Sequence, residues 1–142
     1  MNRPHLQKLA EERLLDAQAL LAAERWSAAY YLAGYTVECG LKSCVLRHLD
    51  ATGAIFTDAE YLKSLAGCWT HDIEKLIKLA GLIIEFGKAR QADPALDRFW
   101  AITKNWSETS RYKEAAENDA RELVEAITHE PNGVLRWIRT HW

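Results

Sequence analysis

The sequence predicts an all-α protein, an antiparallel up-and-down bundle of about five main helices in a single domain spanning residues 1–142. Hydrophobic residues make up 49% of the chain, which holds seven glycines and three prolines, a composition typical of helices rather than sheet. Apolar residues also recur at the helical period of 3.6. A domain of this length buries roughly 68–70% of its unfolded surface, so it requires no disulfide or metal.

The first two helices are the best defined by the pattern. Pro4 suits a first helical turn, and the apolar stripe that follows it predicts a helix to about residue 22. After a tight turn, residues 26–49 read as one long buried helix.

Capping residues divide the middle of the chain. Asp58 can cap a short segment that ends at Gly67, and Thr70 can cap a helix that stops near Gly81. The connection 82–92 stays open, because it could extend a helix or stand alone.

Three further segments complete the predicted bundle. Asp93 and Pro94 read as an N-cap and a first-turn proline, opening a helix towards Trp106. Another helix is expected over about 112–129, and a last amphipathic piece ends at Trp142.

A charged pair lies within the long apolar helix. Glu38 and Lys42 stand one turn apart, on a stripe that adjoins the apolar face. On an open surface such a pair contributes about 0.2–0.5 kcal/mol. Near a core, however, a carboxylate needs partners, so we expect a structural polar network of Glu38, Lys42 and Asp72, which Arg111 can join.

Three motifs follow one another in this part of the chain. Residues 30–42 contain Y-Y-L-A-G-Y-x-V-E-C-x-L-K, which resembles the aromatic and alanine run and A-x-E-x-x-L-K in the second helix of HEPN domains, a family of small all-helical proteins. Residues 70–76 resemble its T-H-D-L-x-x-L motif, and residues 110–112 resemble its A-R-Y turn. The resemblance therefore covers residues from about 26 to 112.

Arg111 and Tyr112 are the preferred binding candidates. They precede the helix expected from residue 112, whose free N–H groups favour an anion, and Ser110 adds a hydroxyl donor. Arginine can hold a phosphate and tyrosine can stack on a base. His71 is a further candidate, as a phosphate ligand or a proton-transfer group, although it and Asp72 could simply form a capped helix start.

Ribonucleases of the HEPN family carry an arginine and a histidine separated by four to six residues. Arg136 and His141 match this pattern formally. Ten arginines and five histidines in 142 residues produce such a match by chance, and this one lacks the polar residue that usually follows the arginine. We therefore name Arg136 and His141, with His71, as an alternative catalytic set and expect no enzymatic activity.

Other chemistries find little support. The chain has no phosphate-binding glycine loop, no serine-hydrolase elbow and no histidine or cysteine spacing typical of metal ligands, so neither cofactor nor metal is expected. Its net charge of −2 argues against an extended basic surface that binds the nucleic-acid backbone. The odd count of three cysteines, short apolar runs and the absence of an apolar signal region predict a cytoplasmic protein with reduced thiols and no membrane contact.

The tryptophan-bearing C-terminal segment is the candidate interface. Trp137, Ile138 and Trp142 could cover a partner if they are exposed there. The HEPN resemblance implies a homodimer, and a bacterial or archaeal accessory protein paired with a nucleotidyltransferase in a toxin–antitoxin or defence system. We expect a nucleotide-binding or protein-interaction module. A metal-independent endoribonuclease and a purely structural dimer that docks a partner enzyme stay open as alternatives.

Overall fold

The computed structural model places the backbone of residues 1–142 and describes every side chain except those of Ala54 and Ile55. The described chain is helical with no strand, which confirms the all-α class and agrees with a helical bundle. In chain order the helices are α1 Arg3–Ala22, α2 Trp26–Thr52, α3 Ala54–Thr57, α4 Ala59–Leu65, α5 Ile73–Leu79, α6 Ile83–Ala92, α7 Pro94–Thr103, a 3₁₀ helix Glu108–Tyr112, α8 Glu117–Thr128 and α9 Val134–Arg139.

The first two helices form an antiparallel hairpin. Asn2 caps α1 by accepting a hydrogen bond from the backbone N–H of His5, and Pro4 lies in the first turn. The buried stripe of α1 faces α2. Between the helices, Glu24 adopts a left-handed conformation with φ +58°, which reverses the chain within three residues.

Helix α2 lies at the centre of the bundle and contacts α1, α5, α8 and α9. Its buried face carries small residues in its first half and larger ones further on: Ala29, Ala33, Val37, Leu41, Cys44 and Val45. Opposite them lie the buried leucines and isoleucines of the other helices: Leu76, Leu123, Ile127, Leu135 and Ile138. Small residues on α2 therefore let the neighbouring helices approach closely.

One of these approaches requires glycine. An ideal Cβ built on Gly34 would lie 2.2 Å from the indole of Trp106. Trp106 follows α7 and is 3% exposed, so its ring fills the space that a side chain on α2 would occupy. This contact fixes the start of the segment that contains the 3₁₀ helix.

The structure resolves one stretch that the sequence left open and corrects one predicted helix start. The undecided stretch 82–92 forms the separate helix α6, because Gly81, at φ +69°, ends the preceding turn. Helix α8 begins at Glu117 rather than near residue 112, since Lys113 and Ala116 are extended and the backbone N–H of Ala115 donates to Ser27 Oγ at 2.9 Å.

The predicted helix start at Asp93 and Pro94 agrees with the structure. Asp93 caps α7 by accepting from the backbone N–H groups of Ala95 and Leu96, and Pro94 follows in the first turn. Asn132, in the connection between α8 and α9, donates to the second oxygen of Asp93 at 2.8 Å.

Nowhere in the described part of the chain is a helix long and apolar enough to span a bilayer.

Candidate functional site

The candidate site begins with a buried carboxylate on α2. Glu38 is 1% exposed, and Lys42 Nζ donates to its Oε1 at 2.7 Å. From the other side, Nδ1 of His71 lies 3.0 Å from both carboxylate oxygens. Desolvation of a charge is costly unless partners compensate for it, so these two donors account for the burial of Glu38.

Asp72 does not belong to this network, contrary to the sequence prediction. Its side chain accepts from the backbone N–H groups of Glu74 and Lys75, at 3.0 and 3.1 Å, and so it caps α5. Thr70, the predicted cap, instead accepts from the N–H of Asp72. The cap belongs to Asp72 because α5 begins at Ile73, three residues after Thr70.

His71 connects the core to the 3₁₀ helix. Its second ring nitrogen, Nε2, lies 3.0 Å from Oε2 of Glu108. The imidazole is 35% exposed, and the ring of Tyr35 lies 6.2 Å away. Burial, and next the charge of Glu38, raise the pKa of Tyr35 to about 12. This phenol therefore stays protonated beside the network at neutral pH.

The 3₁₀ helix presents Arg111 and Tyr112 to solvent. The Arg111 guanidinium carbon lies 4.8 Å above the ring of Tyr112, which is 79% exposed. Arg111 also lies near the hydroxyl of Tyr31 on α2. Within the described residues it has no carboxylate within 4.0 Å, so neither Glu38 nor Asp72 pairs with it.

The expected position of Arg111 at a helix start was wrong. A 3₁₀ turn and an extended segment separate it from α8. Moreover, the nearby hydroxyls are partly used within the turn, since Ser110 Oγ donates to the carbonyl of Ser107 at 2.6 Å and Ser107 Oγ lies 2.7 Å from Thr109 Oγ1. The site thus depends on side chains rather than on a helix dipole.

Two clefts flank this turn. One, of about 450 Å³, lies between the start of α5 and residues 104–109, with His71 and Glu108 in its wall. The other, of about 360 Å³, lies between α2, α7 and α8, and Ser110 and Lys113 line it. Both are open to solvent and large enough for part of a nucleotide-sized ligand.

Arg136 and His141 do not converge. Arg136 pairs with Glu130 on one side of α9. His141 Nε2 lies 3.0 Å from Oε2 of Glu85, and its ring stacks on Trp137 at 4.1 Å. Because each side chain has its own carboxylate partner, the pair does not form one reaction site.

The C-terminal residues proposed as an interface pack into the protein instead. Ile138 is 1% exposed and belongs to the core, so its assignment to an interface was wrong. Trp137 and Trp142 are half-buried against the same core, and the ring of Trp137 lies 4.4 Å from Phe86. Apolar residues near the chain end were needed to close the bundle.

Comparison with known proteins found no matching family model, no matching curated protein and no matching solved structure. Among the described side chains, no group of three or more His, Cys, Asp or Glu residues is placed so that it could hold a metal ion. The sequence reasoning also missed Glu108, since its pairing with His71 is set by the fold and leaves no local pattern.

Proposed function

We propose that this chain is a HEPN-like binding module that holds a nucleotide or RNA phosphate at the Arg111–Tyr112 turn. The observation that carries the proposal is the stack of the Arg111 guanidinium on the exposed ring of Tyr112. Because the Tyr112 side chain is 79% exposed, its ring is also accessible to an external partner.

The stack suits a phosphate and a base together. The Arg111 guanidinium has five N–H donors, of which the contact with Tyr31 uses only part, and the remaining donors match the oxygens of a phosphate. The opposite face of Tyr112 stays open for a base, and such stacking contributes about 1–3 kcal/mol per base. A single nucleotide could therefore engage both residues.

His71 acts in this proposal as a positioning residue. Its two ring nitrogens face Glu38 and Glu108, so neither is available for a phosphate or for proton transfer without breaking a contact. Instead, the imidazole holds the first residue of the 3₁₀ helix against the core.

Binding can be measured by fluorescence anisotropy with labelled single-stranded RNA and with a labelled adenine nucleotide. Arg111→Ala should weaken binding about tenfold or more, as expected for a lost charge-assisted contact. Tyr112→Ala should weaken it similarly by removing the stack. The matched control is Arg121→Ala, because Arg121 also stacks on an aromatic ring, that of Trp26, but already pairs with Glu117.

Equal affinities for wild type and Arg111→Ala, or no binding by wild type, would contradict the proposal. The same RNA should be recovered intact in EDTA. Cleavage in EDTA would instead favour the endoribonuclease alternative.

The proposed assembly is a homodimer that works beside a nucleotidyltransferase partner, as the HEPN resemblance implies. Light scattering of the purified chain distinguishes a dimer from a monomer directly. A monomer at micromolar concentration would remove the dimer from the proposal and leave the Arg111 site unaffected.

A further inference from the structure

A second group of basic side chains surrounds a small pocket at the other end of α2. The pocket, of about 200 Å³, lies between the last turns of α2, the turn from α5 to α6, and the residues that follow α9. Its charged and titratable lining consists of Arg47, His48, Glu85 and His141, together with the thiol of Cys44.

His48 is held in place by its neighbours but has no polar partner. An ideal Cβ on Gly81 would lie 2.6 Å from the His48 ring, so the glycine leaves the space that the imidazole occupies. The ring of Tyr61 lies 5.3 Å away, fixed by a hydrogen bond of 2.6 Å from its hydroxyl to the carbonyl of Leu79. Neither ring nitrogen of His48 has a hydrogen-bond partner among the described residues.

The positive charge of Arg47 likewise has no carboxylate partner. One guanidinium nitrogen donates to the carbonyl of Thr140 at 3.4 Å, and no described carboxylate lies within 4.0 Å. A guanidinium has five N–H donors, so most of them remain available. Arg47 and His48 therefore present free donors to the same pocket from consecutive positions of α2.

Glu85 is the counter-charge, and most of its side chain is exposed to solvent. Its carboxylate lies 3.0 Å from His141 Nε2, but its side chain is 65% exposed and can rotate into water. An anion that enters the pocket could then replace Glu85 as the partner of His141 Nε2. The start of α6 also favours an anion here. Its N-cap residue Leu82 lines the pocket and supplies no side-chain hydrogen bond, so the positive end of the helix dipole is not compensated by its own cap.

We propose that this pocket binds the phosphate group of a phosphomonoester. The pocket brings together Arg47, His48 and His141 from two parts of the chain, and a phosphate has enough oxygens to accept hydrogen bonds from all three. The volume is below the roughly 300–1,000 Å³ of sites for drug-sized ligands, so the pocket accepts the terminal phosphate and leaves the rest of the ligand outside.

Isothermal titration calorimetry tests this with inorganic phosphate, glycerol 3-phosphate and one oligonucleotide prepared with either a 5′-phosphate or a 5′-hydroxyl. Arg47→Gln and His48→Gln should each weaken phosphate binding about tenfold. Glu85→Gln should strengthen it, because the competing carboxylate charge is lost. Arg136→Gln is the matched control, since Arg136 lies outside the pocket and pairs with Glu130.

The oligonucleotide pair assigns the source of the phosphate: preference for the 5′-phosphate form indicates a nucleic-acid end, and preference for glycerol 3-phosphate indicates a small metabolite. Absence of phosphate binding, equal affinity in Arg47→Gln, or weaker binding in Glu85→Gln would each overturn the proposal. The titrations are repeated with Arg111→Ala, in which the other proposed site is removed; phosphate affinity and the preference between the two oligonucleotide forms should persist there, which keeps the outcome separate from that of the Arg111 site.

Discussion

Nδ1 of His71 lies 3.0 Å from both carboxylate oxygens of Glu38. The same ring reaches Glu108 through Nε2, so one imidazole joins a buried residue of α2 to the start of the 3₁₀ helix. The position of Arg111, three residues after Glu108, thus depends on a carboxylate inside the bundle.

Neutralising that carboxylate should destabilise the protein. Glu38→Gln keeps the shape of the side chain but leaves Lys42 without a charged partner and His71 with Glu108 alone. Both partners are partly exposed, so water can solvate them, and we expect a loss of about 1–3 kcal/mol rather than the 3–5 of a fully buried pair. Urea unfolding followed by circular dichroism measures the loss.

The control for this charge is Glu60→Gln. Glu60 forms an exposed pair with Lys63, so its neutralisation should change stability by less than about 0.5 kcal/mol. Equal effects of the two substitutions would argue against a structural role of the buried network.

A methyl group on Gly34 should disturb the same region from the opposite side. Gly34→Ala places a Cβ 2.2 Å from the Trp106 indole, and such overpacking costs about 1–3 kcal/mol. Displacement of Trp106 also moves the residues that lead into the 3₁₀ helix. Calorimetric melting should show a lower midpoint, and oligonucleotide affinity at the Arg111 turn should fall with it.

Gly87→Ala is the matched substitution within a helix. A Cβ on Gly87 in α6 meets nothing within 4 Å, so alanine should stabilise the protein by about 0.5–1 kcal/mol. If Gly34→Ala is as well tolerated as Gly87→Ala, the close packing of α2 on Trp106 is incorrect.

Two of the three thiols should resist alkylation. Burial, and then the charge of Glu38, raise the pKa of Cys39 to about 11, and burial raises that of Cys44 to about 12. At pH 8 iodoacetamide should therefore modify neither in the folded protein, while half-buried Cys68 reacts. Mass spectrometry of peptides gives the result, and urea should expose all three.

The same burial predicts alkaline destabilisation. Because the folded thiol pKa is raised, its stabilising effect is complete below the unfolded value of 9.0 and is lost as pH rises from there towards the folded value. Each pH unit above 9.0 removes up to about 1.4 kcal/mol per thiol. Cys44→Ala should show a shallower decline between pH 9 and 10.5, and an identical slope would contradict this.

Asp93 should cause a loss of stability at acidic rather than alkaline pH. The amide of Asn132, and next the backbone N–H of Leu96, lower the pKa of Asp93 below its ordinary 3.8. Its contribution to stability is therefore present above 3.8 and is lost as pH falls through the lower folded value. In carboxyl NMR titrations, Asn132→Ala should return the pKa of Asp93 towards 3.8, whereas Asn118→Ala should not shift it.

Features set by neighbouring residues were predictable from the sequence. The long apolar helix with its Glu38–Lys42 pair, and the Asp93–Pro94 helix start, follow from local spacing. In contrast, the contact between His71 and Glu108 joins residues 37 positions apart, and the extended run after Tyr112 depends on Ser27 of α2. Local patterns carry no information on such partners.

The Arg136–His141 motif also shows that a local pattern does not identify the partners of a side chain. Helix α9 ends at Arg139, so Arg136 lies on the helix whereas His141 lies in the turn after it, and the spacing does not bring the two side chains together. His141 instead shares a pocket with Arg47 and His48, which are more than 90 positions earlier in the chain.

The length of α2 also bears on how many ligands one chain can hold. Tyr31, beside Arg111, and Arg47 are sixteen positions apart on this continuous helix of 27 residues, at least about 24 Å at 1.5 Å per residue. A mononucleotide cannot reach both ends, so two should bind per chain. A stacked strand, at 3.4 Å per nucleotide, needs at least about seven nucleotides to occupy both as a single molecule. Stoichiometry should thus change from two to one, with a gain in affinity, as strand length passes that value.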